Sequence, residues 1–158
     1  MTLRHAVLAL ALAGVAATAQ AGVKASAVNP TNWTTFTRDP VLIPLNAAGA
    51  TTLSFSLASA GKKLLTFSSE CAVNGPAGKY GDYLDLDILV NGVVVVPTVD
   101  ADPFCSTNGT GGFDSYFRSS ITIPVQLKSG TNTVQIRVSG SANVTGMWLG
   151  QSALVIYD

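Results

Sequence analysis

Residues 83–96 read YLDLDILVNGVVVV, and this stretch decides the fold. Its first half alternates with a period of two: one face takes Leu84, Leu86, Ile88 and Val90, and the other takes Tyr83, Asp85, Asp87 and Leu89. Such alternation predicts a half-buried β-strand. Asn91-Gly92 follows at once and suits a type I′ turn, in which both central residues need positive φ. With the β-branched run Val93–Val96 after the turn, the stretch predicts a β-hairpin.

The same alternation recurs in both directions along the chain. Residues 52–58, 64–73, 116–127, 133–139 and 147–157 carry it, separated by turn residues such as Gly61-Lys62-Lys63 and Lys128-Ser129-Gly130. Two shorter segments, 33–37 and 41–45, are interrupted or flanked by proline, which favours edge strands. Eight or nine strands and no helical period after the first 21 residues predict an all-β, antiparallel sandwich. A jelly-roll-like sandwich is the first choice, because uneven loops suit two Greek keys, and an immunoglobulin-like sandwich is the alternative.

The N-terminal segment has the three parts of a secretory signal. Arg4 and His5 are followed by the apolar run 6–19, and Ala19-Gln20-Ala21 fits a small-x-small cleavage site. The run is shorter than the about 20 apolar residues that a membrane span needs. We therefore expect a signal peptide at 1–21, a flexible segment at 22–31 and one β-sandwich domain at 32–158. The protein would be secreted or periplasmic, with no membrane span.

The charge balance excludes some partners. Nine basic and nine acidic residues give a formal net charge of zero, and charged residues make up 11% of the chain, against about 25% in typical proteins. Nucleic acids and anionic membranes are recognised through basic surfaces. The composition therefore argues against nucleic acid as a partner.

The chain contains two cysteines, Cys71 and Cys105. In an exported protein, two cysteines are most simply joined to each other. No Cys-x-x-Cys spacing is present that would indicate a redox pair. The sequence predicts a disulfide between Cys71 and Cys105, which flank the hairpin.

Catalytic constellations are missing from the predicted mature chain. The single histidine of the sequence, His5, lies in the signal segment, so histidine-based triads and metal sites are excluded for the predicted mature chain. Asp85 and Asp87 share a strand face about 7 Å apart, a spacing compatible with a glycosidase pair. Their outward position favours surface charges opposite Arg118 and Arg137 instead. We expect a protein that is not an enzyme, with no catalytic residues.

Calcium is the one candidate cation, and no other cofactor is indicated. Asp100 and Asp102 lie in a long loop, and Asp82 lies at the start of the hairpin strand. Loop carboxylates and carbonyls are the ligands that calcium takes. The alternative is that these aspartates are there because aspartate favours turns.

Four aromatic residues near two long loops form the candidate ligand site: Tyr80, Tyr83, Phe113 and Tyr116. The loops are 74–82 and 99–115, and a Cys71–Cys105 bond would hold them together. In sandwiches, loops on a rigid scaffold commonly carry the binding site. The alternative is that these rings only pack against the core or the sheet faces.

Two functions remain open. The first is a binding module for a glycan or a surface protein. The second is a structural subunit of a surface assembly or pilus-like filament, with self-assembly. The C-terminal stretch, from Gly146 to the apolar residues 153–157, resembles the last strand of chaperone–usher pilins, which polymerise by strand donation. The cysteine positions depart from that family's pattern.

Overall fold

A computed structural model describes residues 22–95 and 103–158, and within these ranges all regular structure is β. The strands are β1 (Val23–Asn29), β2 (Trp33–Thr35), β3 (Val41–Leu42), β4 (Leu53–Leu57), β5 (Gly61–Gly75), β6 (Tyr83–Val90), β7 (Val93–Val94), β8 (Cys105–Ser106), β9 (Gly112–Leu127), β10 (Gly130–Gly140) and β11 (Gly146–Tyr157). In these ranges no helix is long and apolar enough to cross a membrane.

The strands form two sheets, and all their pairings are antiparallel. The first sheet has the order β1-β11-β5-β9, and β2 also pairs with β11. The second sheet has the order β3-β10-β6-β7, with β4 paired to β10 and β8 paired to β6. The long central strands β5, β6, β10 and β11 therefore have neighbours on both edges.

This strand order is that of a jelly roll. The chain changes sheets between β2 and β3, β4 and β5, β5 and β6, β8 and β9, β9 and β10, and β10 and β11. Each sheet thus interleaves strands from the beginning and the end of the chain, as two wound Greek keys do. The predicted antiparallel, jelly-roll-like sandwich is confirmed.

The core lies between the sheets and is built by the predicted alternation. On β6, Leu84, Leu86, Ile88 and Val90 are buried, and the residues between them are half-exposed. On β10, Val134, Ile136 and Val138 are buried and Arg137 faces outward. Asn91 and Gly92 have φ values of 52° and 81°, so the turn after β6 has the positive φ at both positions that the sequence predicts.

The segment predicted to be flexible, 22–31, instead contains a strand. β1 pairs with β11 from Val23 opposite Tyr157 to Asn29 opposite Ser152. Its small side chains caused the wrong prediction, because alanine and serine are common in loose termini. Ala25 and Ala27 face the core as small residues on an outer strand of the sheet.

The predicted disulfide is absent from the structure, although the two cysteines are neighbours. Both are free thiols and both are buried. The Cys71 sulfur lies 3.8 Å from the Phe104 carbonyl oxygen, to which it donates, and 4.0 Å from the Ser119 hydroxyl oxygen. Cys71 belongs to β5 and Cys105 to β8, so the thiols meet across the gap between the sheets. The neighbouring Cys71 thiol, as a hydrogen-bond partner, and burial raise the pKa of the Cys105 thiol.

Candidate functional site

The outer face of the first sheet carries a pair of aromatic rings, of which Tyr116 is exposed and Trp148 half-exposed. Trp148 on β11 lies opposite Ala72 on β5, and Tyr116 on β9 lies on the other side of Ala72. The Tyr116 and Trp148 ring centroids are 5.0 Å apart, with an angle of 78° between the planes. The two rings meet across an intervening strand because that strand offers only a methyl group at Ala72.

A β-bulge in β9 brings Tyr116 into this position. Phe117 pairs with Cys71 and Asp114 pairs with Val73, so Ser115 and Tyr116 together oppose the single residue Ala72. Ser115 has a φ of 54°, a left-handed conformation that is uncommon for serine. Such a bulge redirects a side chain, and Tyr116 is left 57% exposed.

The Trp148 indole extends along its strand over residue 150, which has no side chain. A Cβ built on Gly150 would stand 2.7 Å from Trp148 Cη2 and 2.9 Å from Glu70 Oε2. The indole therefore extends over Gly150, and the Glu70 carboxylate converges on the same spot from β5. Because the Tyr116 ring stands nearly perpendicular to the indole, the pair offers two aromatic surfaces at nearly a right angle.

A second aromatic pair continues the face toward one end of the sheet. A Cβ on Gly146 would stand 3.2 Å from Phe113 Cζ and 3.3 Å from Asn74 Cβ, so Phe113 reaches from β9 across β5 to β11. Phe36 meets Phe113 edge-on, with centroids 6.2 Å apart, and is 77% exposed. We call the surface of Phe36, Phe113, Tyr116 and Trp148 the aromatic face.

Two charged groups lie one row further along from the Tyr116–Trp148 pair. Glu70 on β5 is paired in register with Arg118 on β9. No ion pair joins them in the described ranges, where the ion pairs are those of Lys24 and Lys63 with Asp158 and of Arg137 with Asp87. Glu70 instead leans toward β11, away from Arg118. The face thus offers a half-buried carboxylate and an exposed guanidinium that do not neutralise each other.

The structure separates the four aromatic residues predicted to share one surface. Phe113 and Tyr116 lie on the aromatic face. Tyr83 is on the outer face of the second sheet, since it alternates with the buried Leu84. Tyr80 is 79% exposed in a loop, where its ring lies against Gly109, 2.9 Å from a Cβ built there. The strand order, which assigns β6 and β9 to different sheets, is the reason that Tyr83 is separated from Phe113 and Tyr116.

Asp82 is the one predicted calcium ligand that the structure describes, since Asp100 and Asp102 lie outside the described residues. Asp82 is buried, and its Oδ1 accepts hydrogen bonds from the Ser141 hydroxyl at 3.0 Å and the Asn143 amide at 3.1 Å. Its Oδ2 has no partner in the described chain. The described residues contain no group of three or more His, Cys, Asp or Glu side chains able to hold a metal ion.

The neighbouring buried carboxylate, Asp114, organises a loop. Its Oδ2 accepts from the Thr107 hydroxyl at 2.8 Å and the Thr110 amide at 3.1 Å, and its Oδ1 accepts from the Asn108 amide at 3.2 Å. These three hydrogen bonds stabilise the Asp114 carboxylate within the protein. Asp114 therefore acts as a structural residue of the 107–112 loop.

The carboxylates of the second sheet have structural partners too. Arg137 donates to Asp87 Oδ2 through Nε at 2.8 Å and Nη2 at 2.6 Å. Asp85 Oδ1 accepts from the Leu86 amide at 3.0 Å. Asp87 is the surface charge opposite an arginine that its outward position predicts.

A polar cleft at the opposite end of the first sheet is a weaker candidate for a binding site than the aromatic face. Its volume is about 310 Å³, and its lining includes Val23, Lys24, Leu57 and Lys63. Both lysines are bound to Asp158, at 2.6 and 2.7 Å. Both ammonium groups are therefore paired within the protein, which makes them less available to a ligand.

Trp148 is the residue that sequence reasoning missed. A signal was present in residues 146–150, GMWLG, in which tryptophan alternates with the apolar Met147 and Leu149. That alternation indicates an outward-facing tryptophan. The glycines two positions before and after it are on the same face, so they leave room for rings.

Comparisons with known proteins give weak likenesses of overall structure. No protein-family model matches the chain, and no curated protein matches it by sequence. A family 35 carbohydrate-binding module from Clostridium thermocellum has a TM-score of 0.36 and 16% identity, over 82% of this chain and 97% of that one. A carbohydrate-binding module of Cellvibrio mixtus lichenase 5A, solved with cellotriose, has a TM-score of 0.33 and 13% identity, over 85% and 98%.

A third solved structure, dimeric latent PorU from Porphyromonas gingivalis, has a TM-score of 0.40 and 12% identity, over 89% of this chain and 14% of that one. Likenesses at this level assign no function to the chain. Its function has to be argued from the aromatic face itself.

Proposed function

We propose that this chain is an exported, non-catalytic module that binds glycans through the aromatic face. The observation that carries the proposal is the perpendicular Tyr116–Trp148 pair, with ring centroids 5.0 Å apart, held on the outer face of a sheet. Pyranose rings present C–H groups on their faces, which pack on aromatic rings as other apolar groups do. Their hydroxyls need polar partners, and Glu70 and Arg118 stand one row away from the rings.

The rigidity of this surface favours binding further. Trp148 and Tyr116 come from β11 and β9, which flank the central strand β5 over most of its length. Side chains held by packing lose little conformational freedom when a ligand arrives. The indole packed over Gly150 is in this sense prepared for stacking.

The alternative of a filament subunit finds less support in the position of the last strand. β11 has β5 along one edge and β1 and β2 along the other. A donated strand would need a free edge beside β11. A sizing column on the purified domain separates the two functions, because strand donation would give ladders of oligomers and the binding module a single species.

The experiment for the proposal is a glycan array on residues 22–158, followed by titration calorimetry with a glycan that binds. Trp148→Ala and Tyr116→Ala should each weaken binding fivefold or more, since a stacked ring contributes about 1 kcal/mol or more. The matched control is Tyr83→Ala, which removes a ring from the other sheet's outer face. Absence of any binding glycan, or equal losses in all three variants, would refute the proposal.

A further inference from the structure

The Glu70 carboxylate has an unusual position for a surface glutamate. It lies over the backbone of Gly150, with Oε2 at 2.9 Å from the point where a Cβ would stand, and Trp148 Cη2 is 2.7 Å from that same point. The carboxylate therefore lies near the Cη2 edge of the indole ring. A ligand stacked on that ring would have the Glu70 carboxylate within reach at this edge.

Within residues 22–95 and 103–158, no side chain or backbone N–H donates a hydrogen bond to this carboxylate. The register partner Arg118 is on β9, on the side of β5 opposite to the one toward which Glu70 leans. Glu70 is nevertheless half-buried. A partly desolvated carboxylate without a protein donor has its full accepting capacity available to a ligand.

We propose that Glu70 sets the specificity of the Trp148 ring surface, which we call the Trp148 platform, by selecting neutral glycans and rejecting acidic ones. This inference rests on the proposed function. An ionised carboxylate only accepts hydrogen bonds, and its two oxygens can take two neighbouring hydroxyls of one sugar. Such charge-assisted bonds are roughly twice as strong as neutral ones. A uronate in the same place would bring a second negative charge beside the first, which is repulsive in a partly dry site.

Arg118 does not reverse this preference. Its guanidinium is exposed and stands across β5 from the platform, where water screens its charge. The charge nearest the stacked unit is that of Glu70.

The test uses calorimetry with neutral pentasaccharides of glucose, mannose, galactose and xylose, and with oligogalacturonate of the same length. The wild-type protein should bind at least one neutral pentasaccharide at least tenfold more tightly than oligogalacturonate. Glu70→Gln, which keeps the shape and removes the charge, should weaken the neutral ligand about tenfold and shrink that difference. Asp85→Asn is the control, since it removes a carboxylate from the outer face of the second sheet.

The outcomes separate this inference from the proposed function. If Trp148→Ala abolishes binding while Glu70→Gln leaves all affinities within a factor of two, the inference is wrong and the glycan-binding function stands. A wild-type preference for oligogalacturonate also overturns the inference alone. If the wild-type protein binds none of the five ligands or any array glycan, both are overturned. The melting temperature of Glu70→Gln, expected to match the wild type, confirms that folding is unaffected.

Discussion

At the scale of single residues, the site depends on which side chains are absent. Ala72 permits the contact between Tyr116 and Trp148, and Gly150 permits the indole to lie on the sheet. The outward direction of Trp148 could be predicted from the alternation around it. Its contact with Tyr116 could not, because it depends on a bulge at Ser115 that no sequence pattern marks, and on β9 and β11 sharing a sheet.

Gly150→Ala tests the platform without removing any ring. The new methyl would stand 2.7 Å from Trp148 Cη2 and 2.9 Å from Glu70 Cβ, so the indole must move. We expect a changed near-ultraviolet circular dichroism spectrum, a stability cost of about 1–3 kcal/mol from overpacking, and glycan affinity reduced as in Trp148→Ala.

The control for this change is Gly61→Ala, since a Cβ there would have only Lys63 Nζ nearby, at 3.9 Å. It should leave both the spectrum and the affinity unchanged. Wild-type affinity in Gly150→Ala would show that the position of the Trp148 indole over Gly150 is irrelevant to binding.

The two thiols make a separate prediction for protein purified under reducing conditions. Two causes raise the pKa of the Cys105 thiol far above its ordinary value: chiefly a hydrogen bond with Cys71, and secondly burial. Thiolate is the reactive form, so native protein should react only very slowly with a thiol reagent, and its rate should still be rising at pH 9 without levelling off. An ordinary thiol, with a pKa of about 8.5, would react much faster from pH 7 to 9.

Denaturation provides the internal control, because it should release two reactive thiols per chain. Rapid stoichiometric labelling of the native protein would contradict the buried position of both cysteines.

At the scale of elements, the strands themselves follow from local patterning, whereas their neighbours do not. The inward sets of β5, β6 and β10 obey the period of two and were predictable. The pairing of β11 with β1 and β5 joins opposite ends of the chain, and only the packed core decides it. The same non-local pairing explains why β1, with its small residues, was predicted to be flexible.

One ionic cluster ties three neighbouring strands at their ends. Asp158 after β11 binds Lys24 on β1 at 2.6 Å and Lys63 on β5 at 2.7 Å. The hydrogen bond from Lys24, and to a smaller extent that from Lys63, lower the pKa of the Asp158 carboxyl. A carboxyl whose pKa is lower in the folded state stabilises it above the unfolded pKa, near 3.9, and the gain is lost as pH falls through the folded value.

Asp158→Asn should therefore lower the melting temperature at pH 7, and the difference from wild type should vanish as the pH falls below about 4. Because the cluster is solvent-exposed, salt should also shrink the difference at pH 7. Asp39→Asn removes an equal charge from a loop carboxylate outside the ion pairs of the described chain. A pH-independent difference for Asp158→Asn would show that charge is not its cause.

At the scale of the whole molecule, the two sheets share one core and should unfold together. Phe67 on the central strand β5 is fully buried, and its ring centroid is 5.7 Å from that of Phe104, which precedes β8 of the second sheet. Phe67→Ala removes a contact that spans both sheets. Truncation of a buried phenylalanine costs about 3–5 kcal/mol, a large part of the about 5–15 kcal/mol that stabilises a typical domain.

We expect urea unfolding of Phe67→Ala, followed by circular dichroism, to remain a single transition with a much lower midpoint and an unchanged slope. Phe36→Ala is the matched control, because it deletes the same side chain from a position that is 77% exposed and should change stability by about 0.5 kcal/mol or less. Two separate transitions in Phe67→Ala would mean that each sheet unfolds independently of the other. A cost close to that of Phe36→Ala would mean that the contact between Phe67 and Phe104 contributes little to joining them.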